Sequence, residues 1–303
     1  MDPMIVFFGL GVGVLIGLTG VGGGSLMTPL LLLAGYNPVV AIGTDLAYGA
    51  ITKTVGGWRH LRAGHVDLRL SWWLAAGSVP GSLLGVAAVN RLHDAYGDDF
   101  KPWLLAVVAV ALSLASAATL FRALFRPGLV AKERESAVLQ RKFSKFATVV
   151  IGATLGFVLG MTSVGSGALI GLVLILLYKL NPRRVVGTDV FHAAVLLWTA
   201  GMAHFLSGNV DLGLMATILV GSLPGVWIGT HLVHHVPVVG LRYGLGIILA
   251  AAALGVASKA GAEVPAYLIV GIPAALGVLC WVVHRRRPEP GLLPHPQDVP
   301  ASP

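Results

Sequence analysis

The sequence predicts an all-α integral membrane protein: a polytopic helical bundle built from two inverted repeats. Each repeat has a glycine-tipped re-entrant or broken-helix hairpin and about three spanning helices, and one extra helix follows at the C-terminus. Three observations carry this reading. Hydrophobic residues make up 56% of the chain and charged residues 11%, against roughly 25% charged in a soluble domain. A set of motifs recurs at a fixed offset, and two glycine-rich tips interrupt otherwise apolar sequence.

The elements follow in chain order. "MDPMIVFFGL" has no basic n-region and no small-residue cleavage site, so it reads as a retained segment rather than a signal peptide. It leads into the first tip, "GLTGVGGGSLMTP" at Gly17–Pro29; the second, "GMTSVGSGALIG", lies at Gly160–Gly171. Apolar stretches cover 39–58, 70–90, 102–124, 185–206, 212–232, 240–257 and 264–283, each near the length that crosses a hydrocarbon core of ~30 Å. Pro80 and Pro224 fall inside two of them, where kinks are expected. By these boundaries the chain divides into a first transmembrane repeat (1–125), a basic cytoplasmic linker (126–145), a second repeat (146–257), an extra helix (258–285) and a proline-rich, disordered tail (286–303).

The repeat is read from its offset. "GTDLAYGA" from Gly43 and "GTDVFHAA" from Gly187 lie 144 residues apart, as do "HLRAGHVDL" from His60 and "HFLSGNVDL" from His204, and "GSVPGSLLG" from Gly77 and "GSLPGVWIG" from Gly221. The tips match at 143. Charge then sets orientation, because Lys- and Arg-rich loops stay cytoplasmic. Arg122–Lys145 holds seven basic residues against Glu133 and Glu135, so it lies inside. The loop with Asp94, Asp98 and Asp99 then lies outside, and the loop with Arg59, Arg62 and Arg69 inside. Its counterpart, His204–Asp211, carries no Lys or Arg, whereas Asn181-Pro182, unlike Asn37-Pro38, runs into Arg183 and Arg184. A bias that changes sides between matching loops marks an inverted repeat.

Parity and length shape the hairpins. From the linker to the basic His284–Arg287 the chain crosses an even number of times, so 146–180 contributes none or two crossings. As helices, Met4–Leu18 would span ~22 Å and Ser25–Gly35 ~17 Å, less than a crossing. Each tip therefore turns near mid-membrane, where irregular backbone is tolerated only inside protein or along a wet cavity. The second arms begin near Gly22–Ser25 and Gly165–Ala168, and their free N–H groups and positive dipole ends suit an anion. Thr19, Ser25, Thr162, Ser163 and Ser166 are the polar groups there; close helix packing and end-capping are their plain structural roles.

Asp45 and Asp189 are equivalent, each after Gly-Thr. They read either as interfacial helix caps or as intramembrane carboxylates that carry a proton or position a tip. Lys53 lies eight residues beyond Asp45 and matches Leu197; it either snorkels to the interface or offsets Asp45 and attracts an anion. His192 matches Tyr48 and either bonds a neighbour or shuttles protons. His231, His234 and His235 read as loop histidines rather than a metal cluster, and the lone Cys280 supports neither a disulfide framework nor a Cys-based metal site.

The paired tips, the "NP" pair running into "GTD", "HxxxGxVD" and "GSxPGxxxG" in both halves together resemble the TauE/SafE family of membrane permeases, the sulfite exporter family, over about residues 5–257. The resemblance implies a multi-pass transporter of the cell (inner) membrane for small sulfur-containing anions such as sulfite, sulfoacetate or related organosulfonates. It also implies export driven by the proton gradient. Carried over by position, the binding region falls on Thr19, Gly22, Gly23, Gly24, Ser25, Thr162, Ser163, Gly165, Ser166 and Gly167, with Thr44 and Thr188 after them. Many relatives place serine or asparagine after that threonine; both copies here have aspartate, which turns the reading toward proton coupling through Asp45, Asp189, Lys53 and His192.

The leading expectation is a secondary transporter of a small anion, coupled to protons, with no cofactor and no bound metal. A permease for a metal or other cation, with Asp45, Asp189 and His192 as ligands, is the alternative within transport. A membrane enzyme and a non-transporting scaffold are the other classes. No nucleophile, base and orienting group fall at recognisable spacing, and the tips lack the Gly-Lys-Ser/Thr ending of a phosphate loop. The net charge of +8 sits in short loops rather than one patch, which excludes nucleic acid as partner. Homodimerisation is compatible with the sequence.

Overall fold

The computed structural model describes residues 3–19, 24–125, 144–178, 180, 182–232 and 238–285, and among them the regular elements are all helices. In order these are α1 (Pro3–Thr19), α2 (Gly24–Leu33), α3 (Pro38–Arg62), α4 (Leu68–Tyr96), α5 (Phe100–Phe125), α6 (Lys145–Thr162), α7 (Leu169–Leu176), α8 (Pro182–Leu206), α9 (Leu212–Leu232), α10 (Val238–Lys259) and α11 (Ala266–Arg285). A single 3-10 turn at Gly97–Asp99 joins α4 to α5. Among the described residues six stretches are long and apolar enough to cross a membrane, the longest, Leu68–Leu124, taking in both α4 and α5. The chain is thus a multi-pass helical membrane protein.

Local sequence explains the helix ends. Asn37 caps α3, its Oδ1 accepting from Val39 N–H at 3.0 Å, with Pro38 in the first turn where no amide is needed. The motif H-x-x-x-G-x-V-D stops one helix and starts the next. Gly64 and Gly208 adopt φ of 70° and 76°, a conformation glycine takes without a Cβ penalty. His65 N–H then returns to His60 O at 3.1 Å and Asn209 N–H to His204 O at 2.9 Å. Three residues on, Asp67 accepts from Leu70 N–H at 3.0 Å and Asp211 from Leu214 N–H at 2.9 Å, capping α4 and α9.

Packing follows small residues. A Cβ on Gly77, Gly81 or Gly85 of α4, or on Gly152, Gly156 or Gly160 of α6, would come within 3 Å of the facing backbone. The same holds for Gly9, Gly13 and Gly17 of α1 and Gly221, Gly225 and Gly229 of α9. These four-residue stripes let backbones touch where lipid offers no hydrophobic drive for association. Gly77 faces Val149, Gly81 Ala153 and Gly85 Phe157; Gly221 faces Val6, Gly225 Leu10 and Gly229 Val14. Both pairs therefore run parallel, and each contact of one half reappears in the other with the partners exchanged. In the middle, Gly57 lies against Phe191 and Gly201 against Ala47, so α3 and α8 run antiparallel.

Pro80 and Pro224 lie inside α4 and α9, within the apolar stretches where the sequence places them. One expectation changes. The arms of the second hairpin are unequal: α6 has 18 residues and is long and apolar enough to cross by itself, whereas α7 has eight, about 12 Å. The short-arm estimate suits α7, and not α6. The linker over 126–143, His234, His235 and the tail over 286–303 lie outside the described residues. α11 touches mainly α10 and leaves most of its surface open to its surroundings.

Candidate functional site

The second tip is built from three residues with positive φ. Ser163 ends α6 at φ 58°, and Gly165 and Gly167 follow at 129° and 95°. Thr162 fixes the turn locally, its Oγ1 donating to Val158 O at 2.6 Å and accepting from Val164 N–H at 3.2 Å. Ser163 and Ser166 are fully buried there. The second arm starts at Leu169, one residue beyond the expected Gly165–Ala168 window. Of the first tip, Gly22 and Gly23 lie outside the described residues, as do the side chains of Thr19 and Ser25; Gly24 opens α2.

The two aspartates reach these tips. Asp45 is fully buried in the second turn of α3, whose cap is Asn37, so it is not the helix cap of the first reading. Its Oδ2 accepts from Thr28 N–H at 3.1 Å, Thr28 Oγ1–H at 2.5 Å and Ser163 Oγ–H at 2.9 Å. It thereby ties the first hairpin to the second. Asp189 Oδ1 accepts from Gly167 N–H at 3.2 Å. Gly167 lies just before the start of α7, where a negative charge is favoured, whereas Thr28 is the fifth residue of α2. The substrate reading gave the Gly165–Ala168 amides to an anion, and at Gly167 a side-chain carboxylate already accepts; Thr28 lies beyond the Gly22–Ser25 window.

Lys53 does not snorkel. It is 4% exposed, within electrostatic reach of Asp189 and Asp45, and its ammonium has no hydrogen-bond partner among the described residues. Because α3 and α8 are antiparallel and Gly56 packs on Val190, Asp45 lies ~18 Å along the pair from the level of Asp189. Lys53 falls between them. Arg122, near the end of α5, donates from Nη1 to Gly167 O at 3.0 Å and stands within electrostatic reach of Asp189. Negative and positive groups therefore alternate through the core: Asp45, Lys53, Asp189, Arg122.

Equivalent positions are matched but not identical. His192 Nε2 and Ser78 Oγ lie 3.1 Å apart. Their counterparts Tyr48 and Ser222 also face one another, yet neither hydroxyl has a partner in hydrogen-bond geometry among the described residues. Thr44 and Thr188 point to loops, not tips: Thr44 Oγ1 accepts from Asp211 N–H at 3.0 Å and Thr188 Oγ1 from Asp67 N–H at 2.9 Å. Among the described residues no three His, Cys, Asp or Glu side chains gather to hold a metal; His192 lies on Ser78, and Lys53 stands between the carboxylates, where it opposes a cation. His231 is exposed, its Nδ1 2.9 Å from Trp227 O.

Sequence reasoning missed Thr28 and Arg122. Thr28 matches a glycine, Gly171, in the other repeat, so the duplication did not point to it. Arg122 reads with the basic linker by charge, and the signal against that is its place inside the apolar stretch 102–124; in the fold its guanidinium lies opposite Gly171, where a Cβ would strike it at 2.7 Å.

Comparison with known proteins agrees with this architecture. Residues 5–256 match the family described as sulfite exporter TauE/SafE. A Bacillus subtilis (strain 168) protein described as "Probable membrane transporter protein YjnA" is 38% identical over 232 residues, 77% of this chain and 90% of that relative. Two more from the same organism are each 29% identical: "Probable membrane transporter protein YdhB", covering 80% of this chain and 94% of its own length, and "Probable membrane transporter protein YunE", covering 76% and 86%. No solved structure matches the chain.

Proposed function

The chain belongs to the TauE/SafE family and is a membrane transporter, and from that premise we propose a secondary permease for small sulfur-containing anions such as sulfite or organosulfonates. It works in the cell (inner) membrane, is coupled to protons, and alternates access around a mid-membrane site between two inverted repeats. The proposed binding residues are the tip positions Thr19, Gly22–Ser25 and Thr162–Gly167, with Thr44 and Thr188 holding the loops beside them. Asp45, Asp189, Lys53 and His192 are the coupling groups.

The observation that carries this reading is the buried ammonium of Lys53, unpartnered among the described residues and standing between two carboxylates that each hold a hairpin arm. An intramembrane charge of this kind is costly unless function requires it. Inversion is supported by the antiparallel α3 and α8 and by the exchanged partners of α1 with α9 and α4 with α6. Two halves related in this way can rock about a central site.

Uptake of radiolabelled sulfite, and then of a sulfonate, into sealed proteoliposomes tests the proposal. Saturable uptake that responds to a pH gradient is expected. Flat counts for every sulfur anion would remove the substrate class and leave the family membership untouched.

A further inference from the structure

Four ionic side chains alternate through the core, and their charges sum to zero when all are ionised: Asp45 and Asp189 negative, Lys53 and Arg122 positive. Resting on the anion-transport reading above, we infer that Lys53 holds an oxyanion of single charge and that Asp45 takes up one proton with it, so anion and proton cross together with no net charge moved.

The argument begins with cost. An anion entering this core leaves it one charge short of neutral, in surroundings where an unbalanced charge costs several kcal/mol. One proton restores the balance; a dianion would need two. The anion's place is the Lys53 ammonium, since three N–H donors lacking a partner among the described residues, on a side chain 4% exposed, form the free cationic donor set in the described core. The Arg122 guanidinium is already committed to Gly167 O.

The proton's place is Asp45. Its Oδ2 takes all three donated hydrogen bonds, and its Oδ1 has no partner among the described residues, so a proton on Oδ1 displaces nothing. Asp189 lies within electrostatic reach of two cations, Lys53 and Arg122, and its Oδ1 accepts from Gly167 N–H, so its charge is the one matched to them. The other titratable groups around Asp45 are Tyr48 on its own helix and His204, whose Nε2 lies 3.2 Å from Gly160 O and whose Cβ flanks Gly43. His192 lies on Ser78, at the level of Gly57 on α3. Arg242 on α10 is within reach of Arg122 and of neither carboxylate.

Proton and anion binding are therefore cooperative rather than competing, and flow runs from the acidic to the alkaline side. The test uses the full chain in proteoliposomes with methanesulfonate, which keeps a single negative charge at all relevant pH values, and with sulfite. With methanesulfonate, an outside-acid gradient of one pH unit should drive accumulation approaching ~10-fold; total sulfite, part of which loses its second proton on the alkaline side, should accumulate at least as far. A potassium diffusion potential of either sign should leave that ratio unchanged. Saturable uptake that follows the potential, or that is driven by an outside-alkaline gradient, overturns this inference and leaves the anion permease standing. No saturable uptake of either anion overturns both. Lys53→Met should lower uptake at least ~100-fold, with partial rescue by Lys53→Arg. Asp45→Asn should keep anion-for-anion exchange while losing its pH response. If that variant retains the wild-type pH response, Asp45 is not the carrier, whatever the folding state of the Lys53 variants.

Discussion

The two halves of the chain use one backbone plan and two different sets of charges. In the first, Asp45 takes three donors on one oxygen and has a tyrosine, Tyr48, one turn on. In the second, Asp189 takes one amide and faces Lys53 and Arg122, with His192 in the tyrosine's place. Lys53 itself matches Leu197. What duplicated intact is geometry: glycine stripes, capping aspartates and the threonines that hold loops. What diverged is the set of charged partners, and on that difference rests the inferred division between a proton-changing and a fixed carboxylate.

The largest expected effect tests whether the halves are equivalent in packing. Gly13→Leu and Gly156→Leu occupy matching places, on Ser222 and Ser78 respectively, with no room for a Cβ. Each should abolish assembly in the membrane, read as loss of a monodisperse peak in detergent, and to the same extent. If one is tolerated, the exchanged contacts of α1 with α9 and α4 with α6 are not equal supports of the fold.

A smaller effect should separate the halves. Asp189→Asn leaves Lys53 with Asp45 alone and Arg122 with no carboxylate in reach among the described residues, so a loss of about 3 kcal/mol is expected. Asp45→Asn should cost about 1 kcal/mol, because Asn Oδ1 still accepts from Thr28 and Ser163. Thermal unfolding of the purified variants compares them directly. Equal losses would mean that Asp189 does not balance the two cations, and the division between a fixed and a proton-changing carboxylate would fail.

Much of this was legible in the sequence. The motifs at the offset of 144 recur at matching places in the helices, and apolar length placed α3 to α5 and α8 to α11 within a few residues. Asp45, Asp189 and Lys53 stood out because charges are rare in such segments. The direction each side chain takes was not legible. Lys53 had two physical outcomes of similar cost, interface or core, and only the packing of α3 on α8 decides between them. Thr28 and Arg122 were hidden because repeat logic finds what both halves share, and these two are found in one half only. The glycine stripes of α4 and α9 were quoted as motifs, but which helix each stripe faces is a tertiary fact that spacing does not encode.

The threonines give the finest test of equivalence. Thr44 accepts the amide of Asp211 and Thr188 the amide of Asp67, each a single hydrogen bond that holds the residue capping a long helix of the other half. Replacing either by valine keeps the shape and leaves a partly buried N–H without its acceptor, at a cost of about 1 kcal/mol. If these residues only hold loops, Thr44→Val and Thr188→Val should lower thermal stability by the same amount and leave the apparent affinity for substrate unchanged, and the double variant should show the sum, since the two sites share no partner. A selective rise in KM for one of them would place its hydroxyl on the transport path in that half alone.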